Sequence, residues 1–204
     1  MPLLLILLLL ILPLPALSQA FRIDTIPPAV YQRMQGKSYP ASCPVPLSDL
    51  RYLTVTHIDR EGRSHRGELI CHRTIASDLI AIFRQLYEAR YPIERMRLID
   101  DYDASDERSM CDNNTSCFCF RPVSGTQKLS KHAQGLAIDI NPLYNPYVKG
   151  SVVQPATARR YVDRKAVYPY KIVAGDLLHR LFLQHGFRWG GSWRSLKDYQ
   201  HFEK

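Results

Sequence analysis

A histidine and an aspartate, His132 and Asp139, stand seven positions apart and are joined by a short alternating segment. Residues 136–141 alternate between large apolar side chains and small or polar ones, which is typical of a strand with one face on a core. Asp139 falls on the opposite face, and Gly135 lets the backbone bend after the histidine. Imidazole nitrogens and carboxylate oxygens are both Zn²⁺ ligands, so this pair needs only a third ligand to hold a metal.

A third ligand is available near the C-terminus, where residues 198–202 have the sequence Asp-Tyr-Gln-His-Phe. His201 would complete a set with His132 and Asp139, and a catalytic zinc typically keeps three protein ligands and one open position. Such an ion acidifies water and polarises a carbonyl group. Spacing alone leaves a second interpretation open, because a histidine and an aspartate also form surface pairs and hydrogen-bonded core pairs. The metal hypothesis predicts one Zn²⁺ per chain.

Taken together, these segments resemble a known family. Residues 130–139 follow the pattern Ser-x-His-x-x-Gly-x-Ala-x-Asp, and an acid-x-x-His-Phe follows far downstream at residues 198–202. This combination is similar to the zinc D-Ala-D-Ala carboxypeptidases of the VanY and VanX type. That family includes L-Ala-D-Glu endopeptidases, and it shares its fold with the hedgehog signalling domain. Phe120-Arg121-Pro122 resembles the family's aromatic-Arg-Pro element, so the resemblance extends from about residue 51 to residue 204.

The resemblance implies roles for individual residues of this chain. It makes His132, Asp139 and His201 the metal ligands. It also makes Asp198 the acid-base group, which takes a proton from the attacking water and passes it to the leaving amine. Many relatives carry glutamate at this position, so the shorter Asp198 must still reach the water. Glu203 is a second acid nearby, but the motif spacing favours Asp198.

Arg121 has two candidate roles. Its permanently charged fork would stabilise the oxyanion of a tetrahedral intermediate, which the resemblance favours, or it would clamp a substrate carboxylate. A surface arginine after an aromatic residue is the third interpretation. Ser130 matches a substrate-contacting serine in relatives, although a serine there could also cap a turn. We expect Trp193 and Tyr199 to line the substrate pocket, with packing in the core as the alternative for each aromatic ring.

Two helices are predicted from apolar periodicity. Apolar residues recur every three or four positions over residues 74–91, and Pro92 ends the pattern. A second helix is predicted over residues 176–185, with Asp176 as its N-cap and Gly186 directly after its end. Both helices present an apolar face to a core and carry no chemistry.

Strands are predicted between and before these helices. Residues 51–59 and 67–72 predict a hairpin, and residues 95–99 predict a further strand. Residues 100–114 are acidic and turn-rich and predict a solvated loop, whereas residues 143–170 predict loops around the cleft. We expect an α+β fold with a central, mainly antiparallel sheet and flanking helices, and the resemblance implies that it is of the hedgehog and D-Ala-D-Ala peptidase type.

The N-terminal residues predict export. Residues 1–20 carry no charged side chain, are dominated by leucine and isoleucine, and end in Ser-Gln-Ala, which suits a signal peptidase. A cleaved signal peptide is predicted, with an uncleaved membrane anchor as the alternative. Residues 21–50 are rich in proline and predict an irregular N-terminal arm, and residues 51–204 predict one zinc peptidase domain. We expect a secreted or periplasmic monomer without stable membrane association.

The net charge limits the expected binding partners, and the cysteine count limits the possible disulfide pairings. A formal net charge of +8 favours anionic polymers such as the cell wall, or serves solubility alone. The chain has no compact basic run with interleaved aromatic residues, so nucleic acid is not an expected partner. Five cysteines are an odd number, which leaves at least one thiol unpaired. Buried thiols or one disulfide are expected, with a cysteine zinc cluster as the alternative.

These observations predict a secreted zinc metallopeptidase that hydrolyses peptidoglycan stem peptides, acting as a D-Ala-D-Ala carboxypeptidase. An L-Ala-D-Glu endopeptidase is the alternative within the same class. A non-catalytic, zinc-stabilised binding or signalling module is the alternative from another class. The presence of both Asp198 and Arg121 argues against a non-catalytic module, because neither is needed merely to hold a metal.

Overall fold

A computed structural model of the chain describes residues 20–122 and 128–204. The predicted signal peptide lies outside the described residues, apart from Ala20. Within the described ranges, no helix has both the length and the apolar character needed to cross a membrane.

The described residues contain four α-helices and eleven β-strands. The helices are α1 (Pro28–Met34), α2 (Arg73–Glu88), α3 (Asp106–Cys111) and α4 (Leu177–Gln184). The strands are β1 (Phe21–Asp24), β2 (Leu50–Ile58), β3 (Ser64–His72), β4 (Arg95–Met96), β5 (Asn114–Thr115), β6 (Ala137–Asp139), β7 (Tyr147–Lys149), β8 (Val152–Gln154), β9 (Arg188–Trp189), β10 (Lys197–Asp198) and β11 (His201–Glu203). The fold is α+β, as predicted.

The strands are divided among several small sheets rather than joined in one central sheet. Three antiparallel sheets have the orders β1-β2-β3, β6-β11-β9 and β10-β7-β8, and β4 pairs with β5 in parallel. The first two sheets are connected by residues 116–118. Phe118 donates from its backbone N–H to Ile70 of β3, and Ser116 exchanges two backbone hydrogen bonds with Asp139 of β6, at 2.9 and 3.1 Å. This connection places the metal-ligand strand beside the long hairpin.

The two predicted helices cover this layer. Helix α2 begins at Arg73, one residue before the predicted start, and ends at Glu88, three residues before the predicted end. Its buried residues include Leu79 and Phe83. Helix α4 buries Leu178, Leu181 and Phe182, and the Asp176 side chain caps it by accepting from the backbone N–H of His179 at 2.8 Å. Each fully buried side chain of this size stabilises the fold by roughly 1.5–3 kcal/mol.

Residues 21–50 do not form an irregular arm. Strand β1 pairs with β2, with Phe21 opposite Val55. Helix α1 has a proline at its first position, which is favourable at a helix start. It buries Val30 and Met34 in a second apolar cluster, separate from the main core that contains Leu79 and Phe83. The prediction was wrong because these two elements are short and depend on tertiary packing rather than on a long local pattern.

The acidic region from residue 100 to residue 114 is also more ordered than predicted. It contains helix α3, which is capped by Ser105 through a 3.3 Å hydrogen bond from the Arg108 N–H. The strand predicted at residues 95–99 is limited to the two residues of β4. Helix α3 brings Asp106 to the wall of the cleft described below.

The region from residue 143 to residue 170 includes the β7–β8 hairpin, which supports the end of the chain. Strand β7 pairs with β10, with Tyr147 opposite Asp198. Both residues line the same cleft, so the hairpin forms one of its walls.

Candidate metal centre and active site

Asp139 and His201 face each other on neighbouring strands. Strands β6 and β11 are antiparallel, and their register places these two residues directly opposite each other. Opposed residues project from the same face of a sheet, so their side chains meet. His201 Nδ1 lies 3.1 Å from Asp139 Oδ1.

His132 reaches the same point from a single turn of 3₁₀-helix over His132–Gln134. Its Nε2 atom lies 3.2 Å from His201 Nδ1 and 3.2 Å from Asp139 Oδ2. Gly135 ends the turn with a φ of +69°, a conformation that favours glycine. A Cβ atom at this position would lie 2.7 Å from the backbone nitrogen of His72, so the close approach to β3 also requires glycine.

Outer partners fix which nitrogen of each ring faces the cluster. His132 Nδ1 lies 2.6 Å from the Cys117 carbonyl oxygen, so this nitrogen carries the proton and donates it. His201 Nε2 lies 3.3 Å from Glu203 Oε2 and donates there. Each ring therefore turns the lone pair of its other nitrogen towards Asp139, which is the arrangement that orients histidine metal ligands.

The three side chains fit a zinc ion. Their ligand atoms all lie within 4.8 Å of one another, and they form the only such group of metal-ligating side chains among residues 20–122 and 128–204. Donor atoms around tetrahedral zinc are about 3.3 Å apart, close to the separations described above. Two facing imidazole lone pairs beside a carboxylate repel one another unless a cation lies between them. The donor set and its geometry therefore match Zn²⁺.

Asp139 and His201 shift each other's pKa in opposite directions. Although burial alone lowers the pKa of His201, its contacts with Asp139 and Glu203 raise it to about 10. Burial raises the pKa of Asp139, but His132 and His201 outweigh this effect and hold it well below the usual range. The ionised Asp139 is the favourable partner in this cluster, and a metal ion would have to displace the proton that His201 otherwise holds.

The three residues lie in a cleft of about 610 Å³. Its walls come from α3, the β7–β8 hairpin and the C-terminal strands, and they mix charged, polar and apolar side chains. The lining includes Asp106, Met110, Arg121, Ser130, Lys131, Tyr147, Lys149, Val152, Gln154, Trp193, Leu196, Asp198 and Gln200. A cleft of this size admits a short peptide segment.

Asp198 lines this cleft with a buried carboxylate oxygen. Among the described side chains, its Oδ1 atom is one of the few buried polar atoms without a hydrogen-bond partner. Burial raises the pKa of Asp198 to about 6. Gly190 allows the strand to approach, since a Cβ atom there would lie 2.6 Å from the Asp198 carbonyl oxygen. An unpartnered carboxylate with a pKa near neutrality suits proton transfer.

Arg121 lies in the cleft rather than on the open surface. Its Nε atom forms an ion pair with Asp106, and its side chain is 28% exposed. This position excludes the interpretation of Arg121 as an unconstrained surface arginine. Both remaining roles, oxyanion stabilisation and carboxylate binding, are compatible with a guanidinium in the cleft wall.

The predicted substrate contacts have different outcomes. Ser130 lines the cleft, but its hydroxyl accepts from the Ala133 N–H at 3.1 Å and donates to the Arg121 carbonyl at 3.2 Å, so it caps the turn before His132. Trp193 also lines the cleft, and its ring centroid lies 5.4 Å from that of His201.

The prediction that Tyr199 lines the pocket was wrong. The ring of Tyr199 packs against the hydrophobic core, with the Arg164 guanidinium 4.3 Å from its centroid. The neighbouring residues Asp198 and Gln200 line the cleft instead. The chain alternates its side chains here, so a residue between two cleft-lining positions points away from the cleft.

The sequence analysis did not identify how two acidic residues, Glu203 and Asp106, contact the candidate site. Glu203 contacts a metal ligand, and the two-residue spacing from His201 on one strand could have indicated this, because such residues share a face. Asp106 had no local signal, because its contact with Arg121 depends on how α3 packs.

The cysteines do not form a metal site or a disulfide. All five are free thiols, and Cys71, Cys117 and Cys119 are buried. Burial raises the pKa of the Cys71 and Cys117 thiols far above the ordinary range, as expected for unreactive core thiols. Cys117 contributes to the centre only through its carbonyl group.

Comparison with known protein families gives a match for the C-terminal part of the chain. A family model described as D-alanyl-D-alanine carboxypeptidase matches residues 124–204. This segment contains all three candidate ligands and Asp198, whereas Arg121 and Asp106 precede it. No curated protein and no solved structure gives a significant match. In this C-terminal segment, which is less than half of its length, the chain is therefore similar to a family of hydrolytic peptidases.

Proposed function

We propose that this protein is a zinc metallopeptidase that removes the terminal D-alanine from peptidoglycan stem peptides. The observation that carries the proposal is the meeting of His132, Asp139 and His201 at separations of 3.1 to 3.2 Å in a peptide-sized cleft. The family match supports the peptidase class. A carboxypeptidase acting on D-Ala-D-Ala is the specific reaction that we infer from this combination.

The chain's own residues supply proton transfer. When bound, Zn²⁺ supplies Lewis acidity, which makes water more acidic and a carbonyl group more electrophilic. Asp198 takes the proton of the attacking water, because its buried Oδ1 has no partner among the described residues and its pKa of about 6 leaves it ionised at neutral pH. The same carboxyl group then delivers the proton to the departing D-alanine amine.

Arg121 stabilises the negative charge that develops on the carbonyl oxygen. Its guanidinium lies in the same cleft wall and stays charged at every physiological pH. Losing one donor of this kind typically lowers kcat by about 10²- to 10³-fold. Trp193 lines the same cleft beside His201, and we assign it to substrate contact.

The proposed compartment follows from the proposed substrate. A protein that cuts stem peptides must reach the cell envelope, and residues 1–20 have the composition of a signal peptide. We therefore propose a secreted or periplasmic monomer that has peptidoglycan as its partner and does not bind nucleic acid. We also propose that its fold is of the hedgehog and D-Ala-D-Ala peptidase type.

Mass spectrometry of purified muropeptides tests the reaction. Loss of one D-alanine from pentapeptide stems, dependent on added Zn²⁺ and abolished by chelation, is the expected result. A cut between L-Ala and D-Glu would replace this function with the endopeptidase alternative. If zinc binds tightly but no stem peptide is cut, the non-catalytic binding or signalling module becomes the better interpretation.

Intact-mass measurement of protein isolated from the envelope tests export. We expect an N-terminus near Phe21, because the Ser-Gln-Ala at residues 18–20 provides small residues directly after the apolar run. Retention of Met1 in the envelope-derived protein would favour the membrane-anchor alternative.

A further inference from the structure

Helix α3 delivers a carboxylate to Arg121. Asp106 is the first residue of this helix, directly after the Ser105 N-cap, and its carboxylate Oδ2 forms an ion pair with Arg121 Nε. Both side chains are largely shielded, with exposures of 32% and 28%. Both also line the cleft that contains the three metal-ligand residues.

This ion pair uses only one edge of the guanidinium group. The group is planar and carries five N–H donors in a fixed fork, so fixing the Nε position restricts the direction of the two terminal nitrogens. Among residues 20–122 and 128–204, Asp106 is the only carboxylate that pairs with Arg121. Arg121 also interacts with the Cys119 side chain, and its guanidinium lines the cleft.

The backbone of Arg121 is fixed independently. Its carbonyl oxygen accepts from the Ser130 N–H at 3.3 Å and from the Ser130 hydroxyl at 3.2 Å. Ser130 in turn caps the turn that carries His132. The main chain of Arg121 is thus tied to the metal-ligand turn, and its side chain is tied to α3.

We propose that Asp106 is a positioning residue that aims the Arg121 guanidinium at the carbonyl oxygen of the scissile peptide bond. This inference rests on the proposed peptidase function. A flexible arginine loses orientation and pays conformational entropy each time it engages a substrate, whereas an anchored one is preorganised. Asp106 acts through Arg121 and does not itself touch the reacting atoms.

The test compares Asp106→Asn with Asp103→Asn in the zinc-loaded enzyme. Asparagine preserves the shape of Asp106 and removes its charge. Asp103 is a matched control because it pairs with Arg108 of the same helix at 2.7 Å but is 62% exposed and does not line the cleft. We expect Asp106→Asn to lower kcat on an acyl-D-Ala-D-Ala peptide about 10- to 100-fold, with KM changed less than about threefold. Asp103→Asn should leave both constants unchanged.

A double-mutant cycle shows whether Asp106 acts through Arg121. The double variant Arg121→Ala/Asp106→Asn should have a kcat less than about threefold below that of Arg121→Ala alone, because the guanidinium that Asp106 positions is already absent. A phosphinate analogue of the tetrahedral state should bind more weakly to Asp106→Asn by about the factor lost in kcat/KM. Should Asp106→Asn fail to fold, as judged by circular dichroism, Asp106→Glu provides the same measurements with the charge displaced by one methylene.

Several outcomes would overturn this assignment. Unchanged kcat in Asp106→Asn would do so, as would the full loss persisting in the Arg121→Ala background. A change in KM alone would show that Arg121 binds a substrate carboxylate in the ground state. If the wild type cuts a different stem bond, the proposed reaction fails, and the Asp106 measurements apply to that bond. If the wild type cuts no stem peptide, both proposals fall.

Discussion

The Nε2 atom of His201 lies 3.3 Å from Glu203 Oε2, two residues further along the same strand. This contact turns Nδ1 of His201, rather than Nε2, towards Asp139 and His132. Glu203 is itself held by Arg188, its neighbour across β9 and β11, at 2.7 Å. The hydrogen bond from His201 lowers the pKa of Glu203, so its carboxylate stays ionised at neutral pH. We therefore expect Glu203 to act as an outer partner of the candidate metal site rather than as the base.

Replacing Glu203 should weaken metal binding more than catalysis. Glu203→Gln keeps a side chain of the same shape but removes the charge that orients His201, and losing such a partner typically costs about 10- to 100-fold in metal affinity. Competition with a fluorescent zinc chelator measures this change. At saturating zinc, we expect turnover within about tenfold of wild type. Unchanged zinc affinity combined with abolished turnover would instead make Glu203 the base.

Removing two ligands should empty the metal site. The variant His132→Ala/His201→Ala retains only Asp139 of the three candidate ligands. A single carboxylate binds zinc too weakly to keep it through dialysis. Metal analysis after dialysis should find about one zinc per chain in the wild type and almost none in the variant. Full zinc content in the double variant would locate the metal elsewhere in the chain.

Asp198 should be needed for turnover but not for zinc. Asp198→Asn preserves the size of the side chain and removes its ability to take a proton. We expect normal zinc content and a loss in kcat of about a hundredfold or more, the scale associated with a positioned acid-base group. Glu203→Gln at saturating zinc is the matched control from the same segment. Near-normal muropeptide cleavage by Asp198→Asn would rule out its assignment as the base.

A buried histidine away from the cleft should make the stability depend on pH. His57 is only 4% exposed, and its Nδ1–H donates to the Ile93 carbonyl at 2.8 Å. Burial lowers the pKa of His57 to about 4, whereas an unfolded chain has a histidine pKa of about 6.5. Because the unfolded state binds the proton more readily, this contribution to stability is present above about pH 6.5 and is lost as the pH falls towards about 4.

The measurement compares urea unfolding of wild type and His57→Gln. Between pH 7 and pH 5, the wild type should lose about 2 kcal/mol more of its free energy of unfolding than the variant. Metal release and other titrations occur in both proteins, so the difference isolates His57. Parallel stability curves for the two proteins would show that His57 does not titrate differently on folding.

Local sequence patterns were enough to indicate the three candidate metal ligands and the main helices. The spacing between His132 and Asp139 spans one turn and strand β6, and period-two alternation separates Asp139 from the apolar core face. Helices α2 and α4 were predictable because their apolar periodicity and the Asp176 cap are local properties of the chain. Such features need no knowledge of distant contacts.

The side chains that surround the three candidate ligands depend on tertiary packing. Residues 21–50 gain their order by packing on β2 and on the second cluster, and a proline-rich sequence gives little local sign of this. Asp106 reaches Arg121 because α3 packs beside the cleft, although the acidic sequence around it predicts a solvated loop. Tyr199 points away because the pairing of β10 with β7 and of β11 with β6 fixes the facing of the residues between them. Strand register and helix packing depend on contacts between residues far apart in the chain, and a local pattern does not encode them.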